Sequence, residues 1–246
     1  MSTVAVLFIA MGVADACRLT RPLWLSLAAA PVVVVATAAI AGLWHIGDVP
    51  LLVLAAAASV GWVALCSRAE RSGEHQAAPL VLFVVAVGVL MALSGWASHA
   101  AGLVARWADW VKLPGLDALS SDRLLMAIAV VLLQLMTGNH LVRLVLGLVG
   151  AVRPDGVPQP SDRLKGGRLL GPMERLLILG LGLGSQLAAA TAVIAAKSII
   201  RFPEISAQKA RENGNIGIDD VTEYFLVGSF ASWIVALGGL ALVLSQ

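Results

Sequence analysis

LWLSLAAAPVVVVATAAIAGLW, residues 23–44, contains no Asp, Glu, Lys or Arg over 22 consecutive positions. A helix needs roughly 20 apolar residues to cross about 30 Å of hydrocarbon. Trp24 and Trp44 bracket the stretch, at a spacing that places their rings at the two interfaces of one span. Pro31 predicts a kink inside it. A membrane can also be crossed by a β-barrel, whose strands alternate in polarity. The runs Pro31–Val35 and Leu54–Ala58 do not alternate, so the stretch reads as a transmembrane helix.

Working outward, seven apolar runs stand out: Val4–Ala16, Leu23–Trp44, Leu51–Cys66, Pro79–Trp96, Leu124–Val152, Arg175–Lys197 and Val221–Leu244. The first and third are short, which leaves six or seven spans. Pro22, Pro50, Pro79 and Pro172 sit at or just before the start of runs, where a proline costs no helical hydrogen bond. Asp220 and Glu223 form a start signal before the last run. Only 13% of the 246 residues are charged and 59% are hydrophobic, against about 25% charged in an average soluble domain. The reading is an all-α polytopic transmembrane helix bundle of about seven spans, one domain over residues 1–246. It divides into N-terminal helices (1–97), an interfacial segment (98–123) and C-terminal helices (124–246).

The interfacial segment rests on residues 101–113. Leu103, Val104, Trp107, Trp110 and Val111 share one helical face and Arg106, Asp109 and Lys112 fall elsewhere. This is an amphipathic helix, lying in the interface or packed as a loop helix on the protein. The net charge of +2 carries no nucleic-acid signature. Cys17 and Cys66 are too few for a disulfide framework or a metal ribbon. Residues 1–16 lack Lys and Arg, so the N-terminus reads as retained rather than as a secretory leader. Lys and Arg are densest in the loops holding Arg18, Arg68, Arg71 and Arg153–Arg175. With seven spans, the positive-inside rule then puts the N-terminus outside and the C-terminus in the cytoplasm of a cell-membrane protein.

Polar groups at membrane depth are the candidates for function, because hydrocarbon does not solvate them. Arg175, Gln186 and Lys197 recur every 11 residues, about three helical turns. They form a stripe that Arg201 continues. Either the stripe lines a polar path, or Arg175 and Lys197 snorkel to opposite interfaces and only Gln186 is buried; the snorkelling reading is preferred for the two cations. In the fifth run Met136, Asn139, His140 and Arg143 share one side. Gly138 suggests either a break that exposes backbone to a ligand or, preferred, a long tilted helix. His45, His75, His99 and His140 show no metal-ligating pairing. Gly180 and Gly184 form a Gly-x-x-x-Gly pair, and Gly228, Ser232, Ala236 and Gly239 line a small-residue face on the last run; the two faces are expected to pack together or across an oligomer. Asp15 and Arg18 read either as an intramembrane acid able to relay protons or, preferred, as an ordinary helix-end ion pair. No catalytic constellation, cofactor motif or metal cluster emerges, so an enzyme reading has little support.

Glu174-Arg175-Leu176-Leu177-Ile178, Gln186, the run Ile194–Ile205 with Lys197, Arg201, Pro203 and Glu204, then Glu223-Tyr224 and Gly228-Ser229 resemble a bacterial membrane family catalogued as number 3307 among domains of unknown function. The likeness covers roughly the last third of the chain. It implies a bacterial membrane protein, supplies no mechanism, and singles out Glu174, Arg175, Gln186, Lys197, Arg201, Glu223 and Tyr224. The expected partner is the lipid bilayer, with room for a homo-oligomer or another membrane protein. The function expected is binding or conduction of a small ion or solute by polar groups of the fifth to seventh runs. The alternative is a scaffold or regulatory subunit acting through partner proteins.

Overall fold

A computed structural model describes residues 1–20, 22–111, 120–151, 167–196, 199 and 218–246, and every regular element among them is helical. The order is α1 (Ser2–Thr20), α2 (Leu23–Ala41), α3 (Asp48–Ser72), α4 (Ala77–Ala92), a 3-10 turn (Ser94–Trp96), α5 (Gly102–Val111), α6 (Ser121–Leu132), a π turn (Leu133–Thr137), α7 (Gly138–Leu148), α8 (Gly167–Leu183), α9 (Leu187–Ala196) and α10 (Ile218–Leu244). Among the described residues five stretches are long and apolar enough to cross a membrane: Ser2–Leu19, Leu23–Ala41, Asp48–Ser72, Ser121–Leu148 and Tyr224–Leu244. The first run, short in sequence, is a helix of 19 residues. The fourth gives a helix of only 16 residues, about 24 Å.

α1 is the axial element. It packs against α2, α3, α4, α6 and the π turn, and Val4, Leu7, Phe8, Met11 and Ala14 are all buried. On the outside stand Val32, Val35, Val53, Val84, Phe230 and Ile234, while Asp15, Gln134 and Arg175 lie within. Apolar groups outward and charges inward is the arrangement that hydrocarbon selects and water opposes.

The long fifth run is one continuous helical path, not a pair of half-helices. At Leu133–Thr137 it takes a π turn, with the Gly138 N–H donating to the Leu133 carbonyl five residues back. The sixth run is where the chain breaks. The Gln186 N–H donates to the Leu181 carbonyl (2.8 Å) and the Ser185 N–H to that of Gly182 (3.1 Å), with Ser185 at φ 59°. This is a Schellman stop, carried by serine in the left-handed position that glycine usually fills. It ends α8 and interrupts the 11-residue stripe. Pro172, expected near a helix start, lies inside α8.

The helix ends sort into two layers. At one end Ser2 Oγ donates to the Ser98 carbonyl (2.5 Å). There Asp48, at the start of α3, accepts from the His45 N–H (3.0 Å), the Ser98 N–H (2.8 Å) and the Ser98 hydroxyl. Asp122, in the first turn of α6, accepts from the Ala100 N–H at 2.7 Å. The expected amphipathic helix forms at this end as α5, with Val104 buried against the bundle and Leu103, Trp107 and Trp110 exposed. Its start is tied down by the Ala101 N–H donating to the Ala41 carbonyl (2.8 Å). Gly102 has φ +60°, and a Cβ there would meet the Ile40 carbonyl at 2.8 Å, so only glycine fits. Trp44 and Trp96 are exposed at the same end. The opposite end carries Arg18, Arg68, Arg71 and Arg143.

The contacts also fix direction. Gly12 meets Leu132 and Asp15 faces His140, so α1 runs parallel to the α6–α7 path. On α10, Gly228 meets Leu146, Val235 meets Gln134 and Gly239 meets Val130, so α10 runs antiparallel to it. Met1 and Gln246 therefore lie at the same end, that of Trp44 and Trp96. Of the six or seven spans expected, the odd count, which separates the termini, does not fit this arrangement, and the even one does.

Candidate functional site

Among the described residues, two polar clusters are built on the path from α6 to α7 inside the bundle. The first closes a ring of four side chains at the arginine-bearing end. Asp15, 1% exposed, takes the Trp62 indole N–H on both oxygens (3.1 and 3.3 Å) and Arg18 Nη1 at 3.4 Å. Arg18 Nη2 reaches Glu70 Oε2 at 2.5 Å. Glu70 Oε1 lies 3.1 Å from His140 Nδ1, and His140 Nε2 lies 3.9 Å from Asp15 Oδ1. Spacing explains the assembly. Asp15 and Arg18 are i, i+3 on α1, and Trp62, Cys66 and Glu70 repeat every fourth residue on α3. Cys66 is buried beneath the ring, and Arg143, one turn beyond His140, acts on the Glu70 charge. Burial is graded: Asp15 is sealed, whereas His140 and Glu70 are 20% and 27% exposed at the side chain.

The second cluster centres on Arg175, 1% exposed. Its Nε and Nη2 donate to the Gln134 carbonyl (3.2 and 2.8 Å), Nη2 also to Asn139 Oδ1 (2.7 Å), and Nη1 to Ser232 Oγ (3.3 Å). A π turn displaces carbonyls from the regular ladder, and this guanidinium claims one of them. The guanidinium lies directly over Gly138, where a Cβ would stand 3.0 Å from Nε. Glycine at 138 thus opens a lane for Arg175; it does not break the helix. Glu174 turns the other way and accepts from Trp233 Nε1 at 3.0 Å. The cluster joins α8, the π turn and α10.

The sequence-derived candidates therefore part company. Arg175 does not snorkel; it is buried because three helices supply its acceptors. Gln186 is exposed, since the Schellman stop carries it off the stripe. Asn139 and His140, expected on one side, serve different clusters, Asn139 toward α8 and His140 toward α1 and α3. Lys197 and Arg201, and the Glu223 side chain, lie outside the described residues, and Tyr224 is half-buried near the start of α10. α8 and α10 do pack, but not through Gly180 and Gly184. Gly180 has open space beside it and Gly184 meets only its own helix, whereas Gly182 abuts the Leu240 side chain and Gly228 approaches Leu146. Ser232 serves Arg175. The Asp15–Arg18 pair is more than a helix end, because Trp62, Glu70 and His140 complete it. Sequence reading missed Trp62 and Glu70, although a carboxylate extending the Trp62–Cys66 ridge by one turn was a usable signal. It also missed Gln134. Among the described residues no group of three or more His, Cys, Asp or Glu is placed to hold a metal ion.

Fold and site together define the class: a helical bundle with apolar outward faces, fit for a lipid bilayer. No protein-family profile, curated protein or solved structure matches the chain.

Proposed function

We propose that this is a multi-pass membrane protein that binds a small ion or solute at the Asp15–Arg18–Glu70–His140 ring. The carrying observation is Asp15, sealed inside the bundle yet joined to the partly exposed His140 and Glu70. Ionisable groups that lie within membrane-spanning helices mark ion and proton sites, and Asp15, Arg18, Glu70 and His140 all fall within helices long and apolar enough to span. The reading is one of binding at one end, not of conduction. Between Thr3 and Asp15 the axial helix α1 carries only apolar side chains and glycine, and it contributes no polar lining over that depth. By the positive-inside rule the arginine-bearing end faces the cytoplasm, which places the ring on the cytoplasmic side and both termini outside. Calorimetric titration of the reconstituted protein with alkali cations, small carboxylates and acid tests the proposal. Wild type is expected to bind one of these, and Asp15→Asn to lose it. Binding unchanged in both Asp15→Asn and His140→Gln would remove the ring from the function.

A scaffold reading is supported by a separate observation, the hydrogen-bonded Arg175 cluster, which behaves as a structural fastening. It predicts copurifying membrane partners that survive loss of the ring and disappear when α8 or α10 is altered. We further propose membership of the bacterial family number 3307. Its support is that two of the residues carrying the resemblance, Glu174 and Arg175, are the buried polar pair of α8. An alignment of relatives in which both positions vary freely would count against it.

A further inference from the structure

We infer that the ion taken by the ring is a proton, held on His140 between the carboxylates of Glu70 and Asp15; the inference rests on the binding role proposed above. The two ring nitrogens of His140 face two different carboxylates, at 3.1 Å and 3.9 Å. A neutral imidazole has one N–H donor and one bare acceptor nitrogen. In that form one nitrogen confronts a carboxylate with lone pair against lone pair. The imidazolium turns a donor and positive charge toward each carboxylate: a hydrogen bond to Glu70 at 3.1 Å and an ion-pair contact with Asp15 at 3.9 Å, beyond hydrogen-bond length. The site is therefore complementary to the protonated ring on both edges and to the neutral ring on only one.

The other ligands a carboxylate pair attracts fit less well. Asp15 already receives the Trp62 indole and Arg18, and Glu70 receives Arg18 at 2.5 Å. A metal or organic cation has to displace a guanidinium that is itself held by both carboxylates. A proton displaces nothing. The charged and titratable groups around His140 are Asp15 and Arg18 from α1, Glu70 and Cys66 from α3, and Arg143 on α7 itself. Residues 77–92 of α4 and 224–246 of α10 carry no charged side chain, and Arg175 and Glu174 of α8 are engaged in the second cluster. In the His140–Asp15 contact the imidazole is 20% exposed and the carboxylate 1%, so the imidazole is the member of the pair that solvent reaches. Uptake forms one N–H bond on the ring and breaks one O–H bond of a hydronium ion, leaving water.

Trp62 supplies the readout, since its indole N–H donates to Asp15 and Asp15 faces His140. The full chain in lipid nanodiscs, labelled with ¹⁵N-tryptophan, is titrated with acid while the Trp62 indole resonance is followed, assigned by its loss in Trp62→Phe. The expected result is a one-proton transition in wild type and in His75→Gln, absent in His140→Gln and in His140→Asn, with all variants retaining wild-type helix content by circular dichroism. A transition that persists in either His140 variant overturns the assignment to His140, as does failure of both variants to fold while wild type shows no transition. A resonance silent to pH but shifted by sodium, potassium or acetate at fixed pH overturns the proton and keeps the binding reading. A resonance silent to all of them sinks both.

Discussion

Arg175 on α8 donates two hydrogen bonds, from Nε at 3.2 Å and Nη2 at 2.8 Å, to the single main-chain carbonyl of Gln134 in the π turn. A buried cation thus finds its principal acceptor in the backbone of a distorted helix. The guanidinium gives this carbonyl two donors away from water, and the carbonyl gives the buried cation an acceptor.

Removing the guanidinium leaves that carbonyl, Asn139 and Ser232 short of a donor. Arg175→Gln is expected to lower stability by about 2–4 kcal/mol, measured by denaturant titration in mixed micelles. A change within about 0.5 kcal/mol, the range of an ordinary surface substitution, would mean the cluster is not a fastening. Arg175→Lys is expected to recover little, because an ammonium lacks the planar fork that reaches three acceptors.

Gly180 and Gly182 are expected to respond in opposite directions. Gly180 has nothing within 4 Å of a built Cβ, so Gly180→Ala should stabilise by up to about 1 kcal/mol through helix propensity. Gly182→Ala drives a methyl into the Leu240 side chain and should destabilise by about 1–3 kcal/mol through overpacking. Equal effects at the two sites would contradict the packing of α8 on α10 described above.

The Trp62 indole is expected to couple energetically to Asp15. Trp62→Phe should cost about 1.5–3 kcal/mol, the range for a hydrogen bond to a charged group. In a double-mutant cycle with Asp15→Asn the two losses should fall short of additive by at least about 0.5 kcal/mol. Strict additivity would separate the two residues.

Gly102→Ala is expected to loosen α5, since a side chain at φ +60° is strained and its Cβ meets the Ile40 carbonyl. Quenching of Trp107 and Trp110 by brominated lipids should change in this variant and not in Gly95→Ala, where a Cβ has open space.

Both termini lie at the end of Trp44 and Trp96, so reporters fused to Met1 and Gln246 should be accessible from one and the same side of the membrane. Protease or membrane-impermeant thiol labelling that finds them on opposite sides would overturn the direction assigned to α10.

Sequence alone determined that the chain is helical and suited to lipid, because a charge-free run such as residues 23–44 leaves its backbone no partner but itself. It also marked Gly138, Arg175, Asn139, His140 and Ser232 as unusual, since polar or helix-weakening residues stand out against so apolar a background. Only the tertiary structure decided what they do. Helical periodicity assigns faces within one unbroken helix, and it fails where the helix changes register. The Schellman stop at Gly184–Gln186 carried Gln186 out to the exterior, and Asn139 and His140, adjacent on α7 and so about 100° apart around it, meet different helices in the folded bundle. The ring of Asp15, Arg18, Glu70 and His140 draws on three helices separated by up to 125 positions, from Asp15 to His140. Such an association is set by which helices pack side by side, a property of the folded bundle that no local spacing encodes.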